Sequence, residues 1–382
     1  MRRWIFLALA LLTLAALPAV SQQAKDWKFA VSGDSRNCGD VVMPAIARDV
    51  LRRNVAFYWH LGDFRKMYDL DEDIQHEPEH RSQKMTLAQY REAAWDDFIR
   101  RQIAPFGTLP VFLGIGNHEL YKYGSGKEKE EQSHADYLST FHRWLAAPEL
   151  QAQRLRDKDD SVLAYYHWKK NGVDFINLDN SRDFGFERAQ LDWLSKRLEE
   201  DKADAKIHAV VVGMHRALPN SISCDHSMNE STGTDSGRRA YAELLSVQND
   251  AHKHVYILAS HSHFFMERIY ETAYWKNRKS VLPGWIVGTA GAVRYLLPEN
   301  WSDPGKPEDL LPPDILAKTF TYGYLLATVH PSGEIDFDYR EMTKEDVLTQ
   351  VLDDFGKPFV DFCFLSNREL THRTLPPTCQ EK

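Results

Sequence analysis

The chain has 382 residues, enough to bury a large core in one big domain or two. Its net charge of −8 argues against a nucleic-acid backbone as the main partner, and no nucleic-acid-binding surface is evident. Four cysteines, an even number, favour disulfides if the compartment is oxidising.

Arg2 and Arg3 precede an apolar run from Trp4 to Val20, and Ala19-Val20-Ser21 offers a small-x-small cleavage site before Gln22. This reads as a signal peptide over residues 1–21, too short for a spanning helix and followed at once by polar residues. The expectation is a periplasmic or secreted protein with no stable membrane anchor after cleavage. Cys38 and Cys224 each lie a few residues beyond a polar strand end and are one conceivable pair. Cys363 and Cys379 are another, stapling the end of the chain; spacing alone leaves the connectivity open.

From Lys28 the pattern alternates strand, helix, strand. A strand to Ser32 ends in Ser32-Gly33-Asp34-Ser35-Arg36, and a helix follows from Val41 to Leu51. The strand Val55 to Leu61 ends in Leu61-Gly62-Asp63-Phe64-Arg65. Asp69 to Met85 is rich in acids with no fixed ligand spacing and reads as a solvated loop. Thr86 to Ile103 reads as an amphipathic helix, and the apolar run from Leu109 to Ile115 as a buried strand delivering Gly116-Asn117-His118-Glu119. Tyr121 to Glu131 reads as a loop, and Ser133 to Leu145 as a helix with Tyr137, Leu138, Phe141 and Trp144 at core spacing.

Two strands, Val162 to Trp168 and Val173 to Asn177, are expected to turn at Lys170-Asn171-Gly172, an Asn-Gly hairpin signal. A helix from Glu187 to Glu200 leads to the strand Ile207 to Val212, which presents His215. Residues 218–236 read as a loop near a pocket mouth, followed by a helix from Arg238 to Val247. The strand Val255 to Ala259 ends in Ser260-His261-Ser262-His263. One more strand, Val281 to Val287, ends in Gly288-Thr289-Ala290-Gly291, and Tyr322 to Val329 with Glu334 to Tyr339 form a closing hairpin.

Besides Glu119, five of these strand ends together supply two carboxylates, one amide and four imidazoles. Mixed oxygen and nitrogen donors suit first-row transition metals better than magnesium or calcium. In order and in strand context the series resembles the calcineurin-like metallophosphoesterase superfamily, nearest to its purple acid phosphatase branch. That pattern runs Asp-x-His, Gly-Asp, Gly-Asn-His-Asp/Glu, a lone His and Gly-His-x-His, and the resemblance covers roughly residues 28–340.

The resemblance implies an α/β fold of two packed mixed β-sheets flanked by helices, in four layers with the metals at one end. It places that domain at residues 22–342 and leaves 343–382 as a C-terminal tail. It implies two divalent or trivalent first-row ions (Fe, Mn or Zn) and hydrolysis of a small phosphate ester by a metal-bound hydroxide. Asp63 would bridge the ions; Asn117, His215 and His261 would complete the second site, and Asp34 and His263 the first. His118 would stand near the phosphate as acid or charge stabiliser. Phosphomonoesters are the favoured substrates; a phosphodiesterase, or a metal-dependent binding protein without catalysis, are the alternatives.

Three positions depart from the pattern. Arg36 stands where the superfamily has a ligand His, and an arginine stays protonated. Lys66 stands where purple acid phosphatases have a ligand Tyr, with Tyr68 two residues on; Ser260 replaces a glycine. The first site is thus one ligand short unless Asn37 or Tyr68 supplies it. Arg36 is expected either to aim at the substrate phosphate or to sit exposed against Asp40.

Overall fold

The computed structural model describes residues 25–121, 126–182, 185–222, 226–229, 233–297 and 315–370. The expected leader, Cys224 and Cys379 lie outside them. β-Branched and aromatic runs pair into two mixed sheets. In the first, β1 (Trp27–Ser32), β2 (Tyr58–His60) and β3 (Val111–Leu113) run parallel. The hairpin of β11 (Tyr322–Val329) and β12 (Ile335–Met342) adds to β1 antiparallel, giving the order β12-β11-β1-β2-β3.

The second sheet centres on four parallel strands, β5 (Val173–Asn177), β6 (Ala209–Met214), β7 (His254–Ala259) and β9 (Gly284–Val287). Antiparallel β4 (Tyr166–Lys170) closes one edge, with β8 (Phe265–Glu267) and β10 (Ala317–Lys318) on the other. The β4–β5 turn has Asn171 at φ 48° and Gly172 at φ 82°, the double left-handed geometry that Asn-Gly favours. Strand β4 begins at Tyr166 rather than Val162, because Tyr166 faces Asn177, the last residue of β5. The Asn177 side chain instead donates to the Ala164 carbonyl, at 2.8 Å.

The inner faces meet in a layer of rings. Phe57 lies 5.1 Å from Phe175, and Phe112 stacks on Trp168 at 4.0 Å. On the outer face of the second sheet, Val210, Val212 and Ile257 pack with Leu191, Leu194 and Leu198 of the helix Arg188–Ala203 and Leu244 of the helix Thr234–Ala251. Strands covered on both faces must be apolar throughout, and β6, Ala-Val-Val-Val-Gly-Met, is buried at every position. The expected two packed sheets flanked by helices are what forms.

Two expectations are corrected. The acidic stretch from Asp69 to Met85 is not a solvated loop: Asp71, Asp73 and Glu77 are fully buried. The reason is arginine. Arg65, also fully buried, pairs with Asp40 and Asp73 at 2.7 Å and with Asp97, while Arg100 and Arg101 hold Glu77. The cysteine pairing also differs from both pairs considered: Cys38 is bonded to Cys363, 325 residues away. Helices Thr349–Phe355 and Lys357–Asp361 bury Val351, Phe355, Phe359 and Val360 in the main core, which brings Cys363 to the start of the helix Gly39–Arg52.

Far from the strand ends, His167 on β4 bridges Asp174 at 2.8 Å and Asp157 at 2.6 Å. Burial opposes a charged ring there, but the two carboxylates push it up to about 9. A raised histidine stabilises the fold fully below its unfolded pKa, and that stability is lost as pH rises through the folded value. Stability read from thermal melts should therefore fall by about 3 kcal/mol as pH rises from 6.5 through about 9. In His167→Gln that slope should flatten.

Candidate metal centre

The polar residues singled out in the sequence sit just beyond the carboxyl ends of parallel strands, where α/β sheets place ligands. Asp34 follows β1, Asp63 follows β2, Asn117 follows β3, His215 follows β6, and His261 and His263 follow β7. Three of these have left-handed backbones: Asp34 at φ 59°, Asp63 at φ 58° and His261 at φ 66°. Such conformations persist only where the surroundings over-determine them. Here Asp34 N donates to the Gly62 carbonyl and Ser35 N to the Asp63 carbonyl, both at 3.0 Å. Glu119 lashes two loops together by accepting from the backbone N–H of Asp63, Phe64 and Gly116 at 2.7–3.0 Å.

The geometry brings all six candidate ligands into one cluster, buried except for half-buried His261. Asp63, His215 and His261 form one group and Asp34, Asp63 and His263 another, each with donor atoms within 4.8 Å of one another. Asp63 belongs to both. His215 Nδ1 lies 3.0 Å from the Leu61 carbonyl, which can only accept, so its Nε2 carries the lone pair. That Nε2 faces Asn117 Oδ1 at 2.9 Å, His261 Nδ1 at 3.0 Å and Asp63 Oδ1 at 3.3 Å. Likewise His263 Nδ1 donates to the Val293 carbonyl at 2.7 Å, which turns the Nε2 lone pair toward Asp34 Oδ1 at 3.2 Å.

Burial holds His261 and His263 below the ordinary imidazole range, so they are neutral donors of electron pairs. Burial alone would raise Asp34, but its surroundings, the fixed charge of Arg36 among them, hold it below the ordinary carboxylate range. Asp34 Oδ1 and Asp63 Oδ2 are buried without a hydrogen-bond partner among the described residues. Facing lone pairs with too few protons between them are costly unless a cation lies among them. On that test the residues fit bound metal.

Arg36 is not exposed and does not pair with Asp40, whose partner is Arg65. It is 7% exposed, with Nη2 3.3 Å from His263 Nε2 and Nε 3.6 Å from Asp63 Oδ2. The fixed cation therefore lies inside the Asp34, Asp63, His263 group. Asn37, at φ 71°, is buried, and its side-chain oxygen has no hydrogen-bond partner among the described residues. Tyr68 stacks on the His118 ring at 5.1 Å. His118 Nε2 lies 3.5 Å from Asp63 Oδ2; burial and the Arg36 charge hold its ring well below the usual imidazole range.

A third acidic group, Asp40, Glu77 and Asp97, lies behind the centre, but Arg65, Arg100 and Arg101 already neutralise it. The sequence reading missed Tyr295, stacked on His263 at 4.1 Å, and His226, 4.9 Å from His261. The glycine-rich end of β9 was the available signal. The chain beyond it props the ligand loops through Ala292 N to the Asp34 carbonyl and Tyr295 N to the His263 carbonyl.

A family model described as calcineurin-like phosphoesterase matches residues 29–265. Among solved structures, the chain is similar to the purple acid phosphatase PPD1 of yellow lupin (Lupinus luteus), with TM-score 0.53 at 14% identity, over 84% of this chain and 52% of that one. It is also similar to PhoD, with TM-score 0.56 at 16% identity, over 85% of this chain and 68% of that one. The chain thus spans about half the length of the lupin protein, and the two likenesses show a shared fold. No curated protein matches the sequence.

Gly116 supplies a direct test of the cluster. A Cβ there would overlap Asp63 Oδ1 and lie 2.5 Å from the Asp63 nitrogen, so the shared carboxylate must move. Gly116→Ala should keep the fold by circular dichroism but lower metal affinity at least tenfold, on the order of a second-shell loss, measured as metal retained after dialysis.

Proposed function

The chain belongs to the calcineurin-like phosphoesterase family, and from that premise we propose that it is an exported, metal-dependent hydrolase of small phosphate esters, phosphomonoesters in particular. The observation that carries the reading is Asp63, a buried carboxylate shared by two groups of lone-pair donors. In this reading two ions are held, one by Asp63, Asn117, His215 and His261, the other by Asp34, Asp63 and His263, with Asn37 available to add an oxygen. Bound there, such ions would acidify a water and neutralise charge on the phosphoryl group.

The chain's own residues do the rest. Hydrolysis joins a water oxygen to phosphorus and breaks the bond to the leaving alcohol, which takes up a proton. His118, held by its backbone N–H to Asp63 Oδ1 at 3.0 Å, is placed to give a hydrogen bond to the ester at that moment. Arg36 offers forked N–H groups that match two phosphoryl oxygens, adding fixed charge where the superfamily has a ligand. Export is supported by the Cys38–Cys363 bond, since disulfides persist in oxidising compartments.

Aryl phosphate monoesters and diesters test the reading together. His215→Ala and Asn117→Ala should each lose bound metal and at least about a hundredfold in turnover. His118→Asn should keep its metal and lose about 10²–10⁴-fold in kcat. A higher kcat/KM for the diester would move the assignment to a phosphodiesterase. Full metal content with no turnover on either ester would leave a binding protein.

A second measurement concerns Arg36. Arg36→His should raise the affinity of the second equivalent of metal and raise KM, because it trades a phosphate-binding cation for a ligand. Calorimetric metal titration and steady-state kinetics check the two effects separately, and unchanged values in both would remove Arg36 from the site.

A further inference from the structure

Three rings outside the ligand set stand against the metal centre. Tyr68 lies on His118 with ring centroids 5.1 Å apart and planes tilted by 29°. Tyr295 stacks on His263 at 4.1 Å, and His226 lies 4.9 Å from His261 and 5.6 Å from Tyr295. Tyr68 comes from the chain after β2, Tyr295 from the chain after β9, and His226 from the loop after β6. Three separate segments therefore converge on one feature, which local folding does not require of any of them.

Their exposure separates them from the core. Among the described residues most aromatic rings are buried between or behind the sheets, whereas Tyr68 is 43% exposed. Among the described residues it is the one aromatic in the set of exposed large apolar side chains. Tyr295 and His226 are half-buried. With His118 beneath it and Lys66 Nζ 6.0 Å from its centroid, Tyr68 keeps ring surface open to solvent beside His118, whose Nε2 lies 3.5 Å from Asp63 Oδ2, near where the ester phosphorus would be held in the reading above. The alcohol half of an ester bound there must leave past these rings.

Ring faces attract other planar rings over aliphatic groups, because stacking removes two apolar faces from water and aligns their quadrupoles. Nothing comparable favours a polyol or an open sugar. We infer that Tyr68, Tyr295 and His226 form a recognition rim that selects phosphate esters whose leaving alcohol carries a planar aromatic ring. The inference rests on the phosphoesterase reading and specifies its substrate class. Tyr68, at the exposed end of the rim, is the specificity-determining residue.

Two matched pairs of primary-alcohol esters isolate the ring from leaving-group reactivity. Adenosine 5′-phosphate against ribose 5-phosphate tests a nucleoside, and benzyl phosphate against cyclohexylmethyl phosphate tests a bare aryl ring. In the wild type the aromatic member should have the higher kcat/KM by about tenfold in at least one pair. Tyr68→Ala should bring that ratio close to one, and Tyr68→Phe, which keeps the ring, should restore it. Tyr295→Leu, with metal content measured, should lower the ratio in part. A response in the first pair alone identifies a nucleoside leaving group, and a response in both identifies the ring itself.

A wild-type ratio near one in both pairs, or a ratio that neither Tyr68→Ala nor Tyr295→Leu moves, overturns the inference. Calorimetric binding to metal-loaded protein separates this outcome from failure of the enzyme reading. If no ester is cleaved, that reading falls. The rim is then judged by binding alone: adenosine 5′-phosphate held about tenfold more tightly than ribose 5-phosphate, with the difference lost in Tyr68→Ala, supports it. Equal affinities refute it.

Discussion

The structure depends on one costly object, the carboxylate of Asp63 sealed at the ends of both sheets. It is fully buried, and Oδ2 has no hydrogen-bond partner among the described residues. Arg36 and His118 face that oxygen from 3.6 and 3.5 Å without a hydrogen bond, and a buried charge held that loosely costs several kcal/mol, so the surroundings have to be strong and already arranged. Much of the local detail follows. Asp63 takes a left-handed backbone, Gly116 stays bare because any Cβ would strike it, and Glu119 gathers three N–H groups around it. The ring layer between the sheets supplies the stability against which that strain is held.

Two reinforcements act from behind. Cys363 is bonded to Cys38, four residues past Asp34, so the C-terminal helices are tied to the loop that carries Asp34 and Arg36. Asn367 extends the tie by donating to the Gly291 carbonyl at 3.3 Å, while Arg294 reaches the Cys363 carbonyl at 3.0 Å. Residues 343–370 are in this respect part of the site's scaffold. On the other side, Arg65 anchors the segment after Asp63 to Asp40, Asp73 and Asp97. The ligand loops are thus fixed by covalent and ionic contacts that come from distant parts of the chain.

That distance explains which features were legible in the sequence. Apolar runs ended by glycine and polar residues marked the strands, and each candidate ligand lies where its run stops. The Asn-Gly turn was equally local and equally readable. The burial of Asp71, Asp73 and Glu77 was not, because acids look solvated until the arginines that pair with them are known. The Cys38–Cys363 bond was hidden for the same reason, since no periodicity reports which helix packs on which loop. For Tyr295 the glycine-rich end of β9 was the one local signal and His226 had none; the approach of separate strand ends is what brings them to the ligands.

The sharpest example lies in two tetrapeptides of nearly the same sequence. Gly33-Asp34-Ser35-Arg36 and Gly62-Asp63-Phe64-Arg65 both follow parallel strands, and their aspartates have almost the same φ, 59° and 58°. Local rules therefore predict the same course for both arginines. Yet Arg36 reaches His263 and Asp63 inside the centre, whereas Arg65 reaches Asp40, Asp73 and Asp97 behind it. What differs is the company. Three buried acids wait beside Arg65, and two of them belong to the helix and the acidic segment packed there. Asp40 is held by Arg65, and the acids that face Arg36 include Asp63 and Asp34 in the centre itself. One arginine closes the scaffold and the other enters the site, a division set by tertiary electrostatics and not by the aspartate φ they share.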